Sequence, residues 1–249
     1  MVQEKRTALI TGSGQMIGRG IALRLAEAGF NVILNGSRNK KACEAVAEEL
    51  KAFDIDTLIA MGNVGVKEEA NKIINDGLDK FGSVDVLVNN AAVRPHTAFL
   101  DLTDDEWDEV HDINLKGPLW MIRACLPGMM ENNWGRIVNF TGMMAQKGYQ
   151  GAAAVASSKH ANWGLIKSLS DEFGRFGITA NIISPGTFPG DDFNVENDEK
   201  RKKLRDENPT RRLGITTEIG GLIAYLCSED GAFMNGQMLQ INGGVVVQF

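Results

Sequence analysis

Cysteine is scarce in this sequence. Three cysteines, Cys43, Cys125 and Cys227, occur in 249 residues, and they are odd in number, far apart and without the spacing of a metal site. Thiols in such a pattern are typical of reduced core or surface residues rather than of a disulfide framework. We therefore predict no disulfide bond and no metal site.

Long apolar runs and an excess of basic charge are also absent. No stretch approaches the roughly 18 to 20 apolar residues that are needed to span a bilayer. The net charge is −6 with a pI near 5.2, and the acidic residues are spread along the chain, which disfavours nucleic acid and anionic membranes as partners. The dense basic run 200–205 alternates with nearby acids and is typical of a solvated helix face. We expect a small-molecule substrate as the partner.

The chain contains no linker, repeat or low-complexity segment. Its first residues, "MVQEKRTALITG", enter an apolar strand within six residues, which leaves no room for a signal peptide, so we expect a cytoplasmic protein. Hydrophobic residues make up 43% and charged residues 23% of the chain, as in ordinary globular proteins. Because 249 residues lie within the range of one α/β core, we predict a single domain over residues 1–249.

What the sequence does contain is a regular alternation of short β-branched runs and longer segments of helical period. This alternation is typical of right-handed βαβ units, which build a parallel sheet covered by helices on both faces. We predict an α/β fold: a doubly wound, parallel, seven-stranded sheet in a Rossmann-like three-layer α/β/α arrangement. The predicted strands are 7–11, 31–35, 56–61, 84–89, 136–141, 179–183 and 238–242.

Glycines and a capping pattern mark the ends of several helices. Helix 17–28 is predicted to end at Gly29, and a helix from about residue 152 at Gly177. The sequence "TDDE", residues 103–106, fits a capping box that opens a long helix towards Met130. The least regular segment is 186–198, which we predict to be a mobile lid.

A glycine-rich turn, "ALITGSGQMIGRG", stands directly between the first strand and the first helix. Backbone N–H groups and the positive end of the helix favour a pyrophosphate at such a turn, as in dinucleotide-binding folds. Glycine turns after strands also occur for purely steric reasons. The turn therefore indicates a phosphate site only in combination with other motifs.

Further motifs follow in a fixed order: "NNAA" after the fourth strand, "INLKG", the lysine of "SSK", "ISPG", "RRLGITTEIGGLIAYLCSE" and "GQMLQINGG". In this order, and over nearly all of its length, the chain resembles the short-chain dehydrogenase/reductase family. The resemblance implies an oxidoreductase that uses a nicotinamide cofactor on a small carbonyl or alcohol. It also implies a homotetramer or homodimer.

The resemblance assigns ten residues to the cofactor site: Gly12, Ser13, Ile17, Gly18, Arg38, Asn63, Asn90, Lys159, Pro185 and Gly186. Three positions depart from the family pattern. Met16 replaces the middle glycine of the turn, Asn63 replaces an aspartate that contacts adenine, and Gly190 replaces a threonine that contacts nicotinamide. Because a glycine in the turn lets the backbone approach the pyrophosphate, these departures count against cofactor binding.

The second strand ends in "NGSRNKK", without an acidic residue. An aspartate or glutamate there would bond a ribose 2′-hydroxyl, whereas Arg38, helped by Lys40 or Lys41, suits a 2′-phosphate. If a dinucleotide binds, NADP is therefore favoured over NAD. The alternative interpretation is that these cations are the solvated start of a helix.

The reaction centre departs furthest from the family. In the family, an asparagine, a serine, a tyrosine and a lysine four residues beyond the tyrosine act together in catalysis. The segment "GRIVNFTG" and Lys159 place the serine position at Gly142 and the tyrosine position at Val155, while Asn114 and Lys159 are retained. Residues 155 and 159 share a helical face, so a valine stands where the proton donor is expected. Loss of a general acid lowers a rate by about 10²- to 10⁴-fold.

Several neighbours are candidates to replace the lost acid. Tyr149 precedes Val155 by six residues, and Arg94 and His96 follow the fourth strand at the edge where ligands collect. His96 suits an acid or base, and Arg94 suits a carboxylate or phosphate. Lys159 anchors a ribose hydroxyl, becomes an acid or base if burial tunes its pKa, or is an inherited residue with only solvent or carbonyl contacts. Alternatively, Tyr149 contacts substrate or a neighbouring subunit, and His96 is a surface histidine. We assign Lys159, Asn114, Tyr149 and His96 to catalysis, and Arg94, His96, Gly142, Tyr149 and Val155 to substrate binding.

Three functions are compatible with this pattern. The first is an NADP(H)-dependent oxidoreductase in which Tyr149, His96 or water replaces the lost acid. The second is a non-redox lyase, dehydratase or isomerase that transfers protons in the same cleft through Lys159, His96 or Tyr149. The third is a catalytically inactive partner or sensor that keeps the fold, because one fold can host unrelated functions.

Overall fold

The computed structural model describes residues 5–190 and 197–247. Seven parallel strands of these residues form a sheet in the order β3-β2-β1-β4-β5-β6-β7. The chain winds outwards from β1 to one edge, returns to β4 beside β1 and continues to β7 at the other edge. The strands are β1 Thr7–Ile10, β2 Asn31–Leu34, β3 Thr57–Ile59, β4 Val86–Asn89, β5 Gly135–Phe140, β6 Ile178–Pro185 and β7 Met238–Ile241.

The strands form where the sequence is almost continuously apolar. Every residue of β1 and β4 is buried, as expected for strands that are covered on both faces. All seven predicted strands are confirmed, with small differences in their bounds. The third strand is shorter than the predicted 56–61, and the sixth continues to Pro185.

Helices cover both faces of the sheet. They are α1 Met16–Glu27, α2 Lys40–Leu50, α3 Lys67–Phe81, α4 Asp104–His111, α5 Gly117–Glu131, α6 Met143–Lys147, α7 Ala153–Phe173, α8 Glu199–Glu207 and α9 Thr216–Cys227. One hydrophobic core packs α1, α2 and α9 against one face, and a second packs α3, α5 and α7 against the other. The predicted three-layer α/β/α architecture is therefore confirmed.

The helix predicted from Thr103 towards Met130 begins as expected but is not regular. The Thr103 hydroxyl caps it by accepting a hydrogen bond from the Glu106 N–H (3.2 Å). The helix then widens into a π-helical turn, Asp112–Lys116, before α5 begins. The turn places the side-chain amide of Asn114 on the backbone of Val93, and π-turns often occur at functional sites.

The other predicted boundaries are partly confirmed. Gly29 and Gly177 both have positive φ, 86° and 69°, just beyond α1 and beyond the 3₁₀ turn Gly174–Phe176 that follows α7. Of the predicted lid 186–198, residues 191–196 lie outside the described residues. Residues 186–188 line the cleft that is described below.

No helix within residues 5–190 and 197–247 is long and apolar enough to cross a membrane. The same residues contain no cluster of His, Cys, Asp and Glu side chains that could hold a metal ion. Cys43, Cys125 and Cys227 are free and buried. Burial raises the pKa of the Cys227 thiol to about 12, so this thiol stays protonated and unreactive near neutral pH.

Candidate active site

A cleft of about 880 Å³ lies at the carboxyl ends of the strands, where doubly wound sheets bind their ligands. It runs from the glycine-rich turn after β1, past the start of α2, to α7. The residues predicted from sequence that line it are Gly12, Ile17, Gly18, Arg38, Asn63, Asn90, Arg94, Gly142, Tyr149, Val155, Lys159, Pro185 and Gly186. The fold therefore brings most of the predicted site residues to one place.

Two glycines shape the turn. Gly12 has a φ of 63°, in the left-handed region that favours glycine. A Cβ atom on Gly18 would lie 2.2 Å from the Gly12 carbonyl oxygen, so only glycine allows this packing. Asn90 supports the turn from below, because its side-chain amide donates to the carbonyls of Thr11 (2.9 Å) and Gly12 (3.0 Å).

Ser13 is buried beneath the turn instead of lining the cleft. Its backbone N–H donates to the Asn35 carbonyl (2.9 Å), and its hydroxyl oxygen accepts from the Asn35 N–H (2.9 Å). The Asn35 amide also donates to the carbonyls of Ala60 (2.9 Å) and Gly62 (3.1 Å). Ser13 thus holds the turn in position through Asn35. We missed Asn35 in the sequence, where its signal is an asparagine that closes an apolar strand.

Met16 is the most unusual residue of the turn. Its φ is 48°, so its backbone keeps the left-handed conformation that a glycine would adopt there. This conformation costs a residue with a side chain about 1–3 kcal/mol. The Met16 side chain is 43% exposed and lines the cleft. A Cβ atom on Gly190 would lie 3.7 Å from Met16 Cγ, an ordinary van der Waals distance, so residue 190 is a neighbour of the methionine.

Arg38 and Asn63 line the cleft beyond the turn. Arg38 is exposed and forms no hydrogen bond or ion pair with the described residues. Asn63 uses its side-chain oxygen to accept from the Gly65 N–H (3.0 Å), and its own N–H donates to the Glu69 carboxylate (2.7 Å). Among the described residues, the side-chain N–H groups of Asn63 have no acceptor. They can therefore donate to a ligand in the cleft.

These residues fit a dinucleotide phosphate. Helix α1 starts after Gln15 without a side-chain cap, and its first turn holds no acidic residue. Its first N–H groups are therefore left for an anion. The guanidinium of Arg38 has no partner in the described part of the chain. Together with the close-packed turn, these groups form a donor set for a pyrophosphate and a 2′-phosphate.

Lys159 is the buried cation of the cleft, with 6% of its surface exposed. Its ammonium donates to the carbonyl oxygen of Phe140 at the end of β5 (2.9 Å). Burial, and then the nearby charge of Arg94, lowers the pKa of Lys159 from 10.5 to about 7. The side chain can therefore give or take a proton near neutral pH.

Gly142 and Val155 line the same cleft as Lys159 and carry no hydroxyl group. Gly142 has extended backbone, and a Cβ atom there would have no neighbour within 4 Å. Val155 lies one helical turn before Lys159, is buried, and packs with Val110 and Ala154. Neither residue offers the cleft a hydrogen-bonding side chain.

Tyr149 lines the cleft, whereas His96 lies behind it. The two rings stack with their centroids 6.1 Å apart. His96 is not among the described cleft-lining residues; it packs on Gly151, where a Cβ atom would come within 2.8 Å of the imidazole. The Thr97 N–H donates to the Gly151 carbonyl (3.0 Å). This placement gives His96 a packing contact with the Tyr149 loop rather than a position in the wall of the cleft.

Asn114 belongs to a buried chain of asparagine amides that sequence reasoning did not find. The side chain of Asn89 donates to that of Asn139 (2.8 Å), Asn139 to Asn162 (2.7 Å), and Asn162 to the backbone carbonyl of Asn114 (2.5 Å). The side chain of Asn114 in turn binds both backbone groups of Val93 (2.9 and 3.0 Å). Because a satisfied buried network is rigid, Asn114 fixes the segment that leads to Arg94.

Comparison with known proteins relates this site to a family. The sequence pattern of the family described as Enoyl-(Acyl carrier protein) reductase matches residues 12–246. The 3-oxoacyl-(acyl-carrier-protein) reductase of Staphylococcus epidermidis is 36% identical over 240 residues, which cover 96% of this chain and 98% of that protein. This chain belongs to the short-chain dehydrogenase/reductase family.

Other members of the short-chain dehydrogenase/reductase family are similar over the same length. The acetoacetyl-CoA reductase of Cupriavidus necator is 32% identical over 241 residues, with 97% of this chain and 98% of that protein covered. A solved structure from Sinorhizobium meliloti 1021, described as a candidate short-chain alcohol dehydrogenase, has a TM-score of 0.88 at 28% identity and covers 96% of this chain and 95% of its own. The fold is therefore that of a family of oxidoreductases.

Proposed function

We propose that this protein is an NADP(H)-dependent oxidoreductase that acts on a small carbonyl or alcohol substrate. One observation carries the proposal: the same cleft of about 880 Å³ is lined both by Arg38, which has no partner among the described residues, and by the buried Lys159. A dinucleotide site and a proton-transfer group therefore share one space. The similarity to proteins that are named as reductases supports this function.

In this proposal the glycine-rich turn and the start of α1 hold the pyrophosphate, and Arg38 holds the 2′-phosphate. Arg38 favours NADP over NAD because no aspartate or glutamate is present among the described residues of the cleft wall to bond a 2′-hydroxyl. When bound, the nicotinamide supplies the hydride. Asn90 and Ser13 keep the turn in shape from behind.

Lys159 supplies the proton to the substrate oxygen. A general acid is most effective when its pKa lies near the working pH, and the pKa of Lys159 is about 7. The Phe140 carbonyl takes one N–H group of the ammonium, which leaves two for the substrate. Tyr149, in the loop between α6 and α7, also lines the cleft and contacts the substrate. Of the replacements considered from sequence, the buried lysine thus has the strongest physical support.

A fluorescence titration with NADPH and NADH tests this function. We expect saturable enhancement of nicotinamide fluorescence, with NADPH binding about 10-fold or more tightly than NADH because Arg38 bonds the extra phosphate. The Arg38→Ala variant should lose this preference. Arg175→Ala is the matched control, since Arg175 is exposed after α7, stacks on Phe176 and does not line the cleft. Failure to saturate at millimolar NADPH would exclude the proposal.

A non-redox lyase, dehydratase or isomerase is the second candidate. Met16 favours it, because the methionine side chain occupies part of the phosphate end of the cleft while Lys159 keeps its proton-transfer properties. Such an enzyme would turn over a substrate without added nicotinamide and would lose activity in Lys159→Ala. Activity that requires NADPH would decide for the oxidoreductase.

A further inference from the structure

The cleft has a charge opposite to that of the chain. The chain has 32 acidic and 26 basic residues and a net charge of −6. The described residues that line the cleft nevertheless include four cations, Arg38, Arg94, Lys159 and Lys200, and no aspartate or glutamate. Because low-dielectric walls focus such a field, the cleft attracts anions.

The proposed cofactor site does not use the charge of Arg94, because the turn, the start of α1 and Arg38 are assigned to the cofactor phosphates. Arg94 lines the same cleft as Lys159, and its positive charge acts on that side chain. Neither residue has a carboxylate partner among the described residues, and Arg94 forms no hydrogen bond with them. The charge of Arg94 disfavours the protonated form of Lys159, and an opposite charge near them would favour it. An anionic group on the ligand would supply that charge.

The segment that carries Arg94 is held at both ends. On one side, the Val93 N–H and carbonyl bind the side-chain amide of Asn114 (2.9 and 3.0 Å). On the other, the Thr97 N–H donates to the Gly151 carbonyl (3.0 Å). The backbone is therefore fixed while the guanidinium is exposed, and its five N–H donors in a planar fork suit a carboxylate or a phosphate.

Two residues of the cleft that contains Lys159 add no polar contact for a substrate. Gly142 and Val155 offer no hydroxyl group, and Val155 is packed in an apolar cluster with Val110 and Ala154. A neutral ketone would therefore depend on the Lys159 ammonium and on other polar side chains of the cleft, among them Tyr149. A second, charged attachment point would orient a small substrate more strongly.

We propose that the substrate carries an anionic group, a carboxylate or a phosphate, which Arg94 binds while the carbonyl oxygen lies at Lys159. This inference rests on the proposed reductase function. In the reduction, the carbonyl carbon receives a hydride from the reduced nicotinamide and the oxygen receives a proton from the Lys159 ammonium. The products are an alcohol, the oxidised nicotinamide and a neutral lysine, which solvent protonates again.

The test compares 3-oxobutanoate and dihydroxyacetone phosphate with the neutral methyl ester of 3-oxobutanoate, with NADPH consumption as the readout. We expect kcat/KM for one of the two anions to exceed that for the ester by about 10- to 100-fold, the range of a charge-assisted hydrogen bond. Arg94→Gln should reduce that ratio by a similar factor, and Arg94→Lys should reduce it less. Arg175→Gln, outside the cleft, should keep the wild-type ratio. The preferred anion distinguishes a carboxylate from a phosphate.

A calorimetric titration of the two anions into protein without nicotinamide provides a second readout. We expect binding that Arg94→Gln weakens by about 10-fold or more. Binding of this kind without any NADPH turnover would overturn the reductase function and leave the anion site standing. NADPH turnover with equal efficiency for the anions and the ester, unchanged by Arg94→Gln, would overturn the anion site and leave the reductase function standing. No anion binding at millimolar concentration would also overturn the anion site.

Discussion

At the scale of single residues, Met16 connects stability to ligand binding. Its φ of 48° is unfavourable for a side chain. Met16→Gly should therefore raise the free energy of unfolding by about 1 kcal/mol. The same change opens the phosphate end of the cleft, so NADPH should bind several-fold more tightly. Urea unfolding and a fluorescence titration measure the two effects.

Asn133 offers a matched control for the Met16 variant. It also has positive φ, 49°, and it is exposed at the end of α5, outside the cleft. Because asparagine tolerates this conformation better than methionine, Asn133→Gly should have a smaller effect on stability and none on NADPH binding. A Met16→Gly protein that is less stable than wild type would contradict this prediction. It would show that the contacts of the methionine side chain stabilise the fold by more than the positive φ destabilises it.

Lys159 should make the stability of the protein depend on pH in a specific window. Its pKa is about 7 in the folded state against 10.5 ordinarily, so between these values the unfolded chain binds a proton that the folded chain does not. Stability therefore rises with pH across the window, and the cost of burying the charge is fully present below pH 7. Lys159→Met should stabilise the fold by about 2–4 kcal/mol at pH 6.5, with a gain that shrinks towards pH 10.

The control for this prediction is Lys80→Met. Lys80 is exposed and donates to the Thr57 carbonyl (2.8 Å), so its variant loses a similar hydrogen bond without removing a buried charge. Urea unfolding of both variants at pH 6.5 and 10 separates the effect of the lost hydrogen bond from the effect of the buried charge. A stability difference for Lys159→Met that is the same at both pH values would contradict the lowered pKa.

Some residues of the site could be predicted from sequence and others could not. Gly12 and Gly18 belong to the glycine-rich turn, and Lys159 belongs to the "SSK" motif. The structure places all three on the cleft. The hydrogen-bond partners of Asn35 and Asn162 could not be predicted, because sequence spacing does not reveal which carbonyl across a strand or helix an amide will face. The assignment of Gly142 and Val155 to the family's serine and tyrosine positions stays a prediction.

At the scale of elements, the contact of α1 with α9 positions the glycine-rich turn. A Cβ atom on Gly220 would lie 2.4 Å from the Gly20 carbonyl oxygen and 2.8 Å from Arg24 Cγ. Gly220→Ala should therefore lower the free energy of unfolding by about 1–3 kcal/mol. The next residue is a matched control, since a Cβ atom on Gly221 would meet nothing within 4 Å.

Gly221→Ala should be neutral or stabilise α9 by up to about 1 kcal/mol, because alanine has the higher helix propensity. Urea unfolding of the two variants measures the difference. Equal stability of the Gly220 and Gly221 variants would show that the two helices separate easily to admit a methyl group.

The same elements show how far sequence reasoning extends. The strands were predictable because buried parallel strands read as short apolar runs between helical segments. The π-turn Asp112–Lys116 was not, because "DINLK" carries no pattern that distinguishes a π-turn from a regular helix. What shapes it is the pairing of Asn114 with Val93, 21 residues away in sequence.

At the scale of the whole molecule, we propose that copies of the chain assemble into a homodimer or homotetramer. Several large apolar side chains are exposed, among them Phe99 (71%), Leu100 (95%), Phe233 (101%) and Val247 (69%). Phe99 and Leu100 are neighbours in the sequence, and an exposed apolar patch of this kind marks an interaction surface. Sedimentation velocity should give a species of twice or four times 27.1 kDa, and a single 27.1 kDa species at micromolar concentration would contradict the assembly.

The most direct test of the proposed function is a crystal structure of the protein grown with NADP⁺. We predict a dinucleotide along the cleft with its 2′-phosphate at Arg38 and its nicotinamide beside Lys159, and no tyrosine phenol within hydrogen-bonding distance of that lysine. A cleft without dinucleotide at millimolar NADP⁺ would contradict the oxidoreductase and favour a non-redox enzyme or an inactive partner. A Tyr149 phenol seated on Lys159 over an ordered nicotinamide would contradict the role of Lys159 as the proton donor.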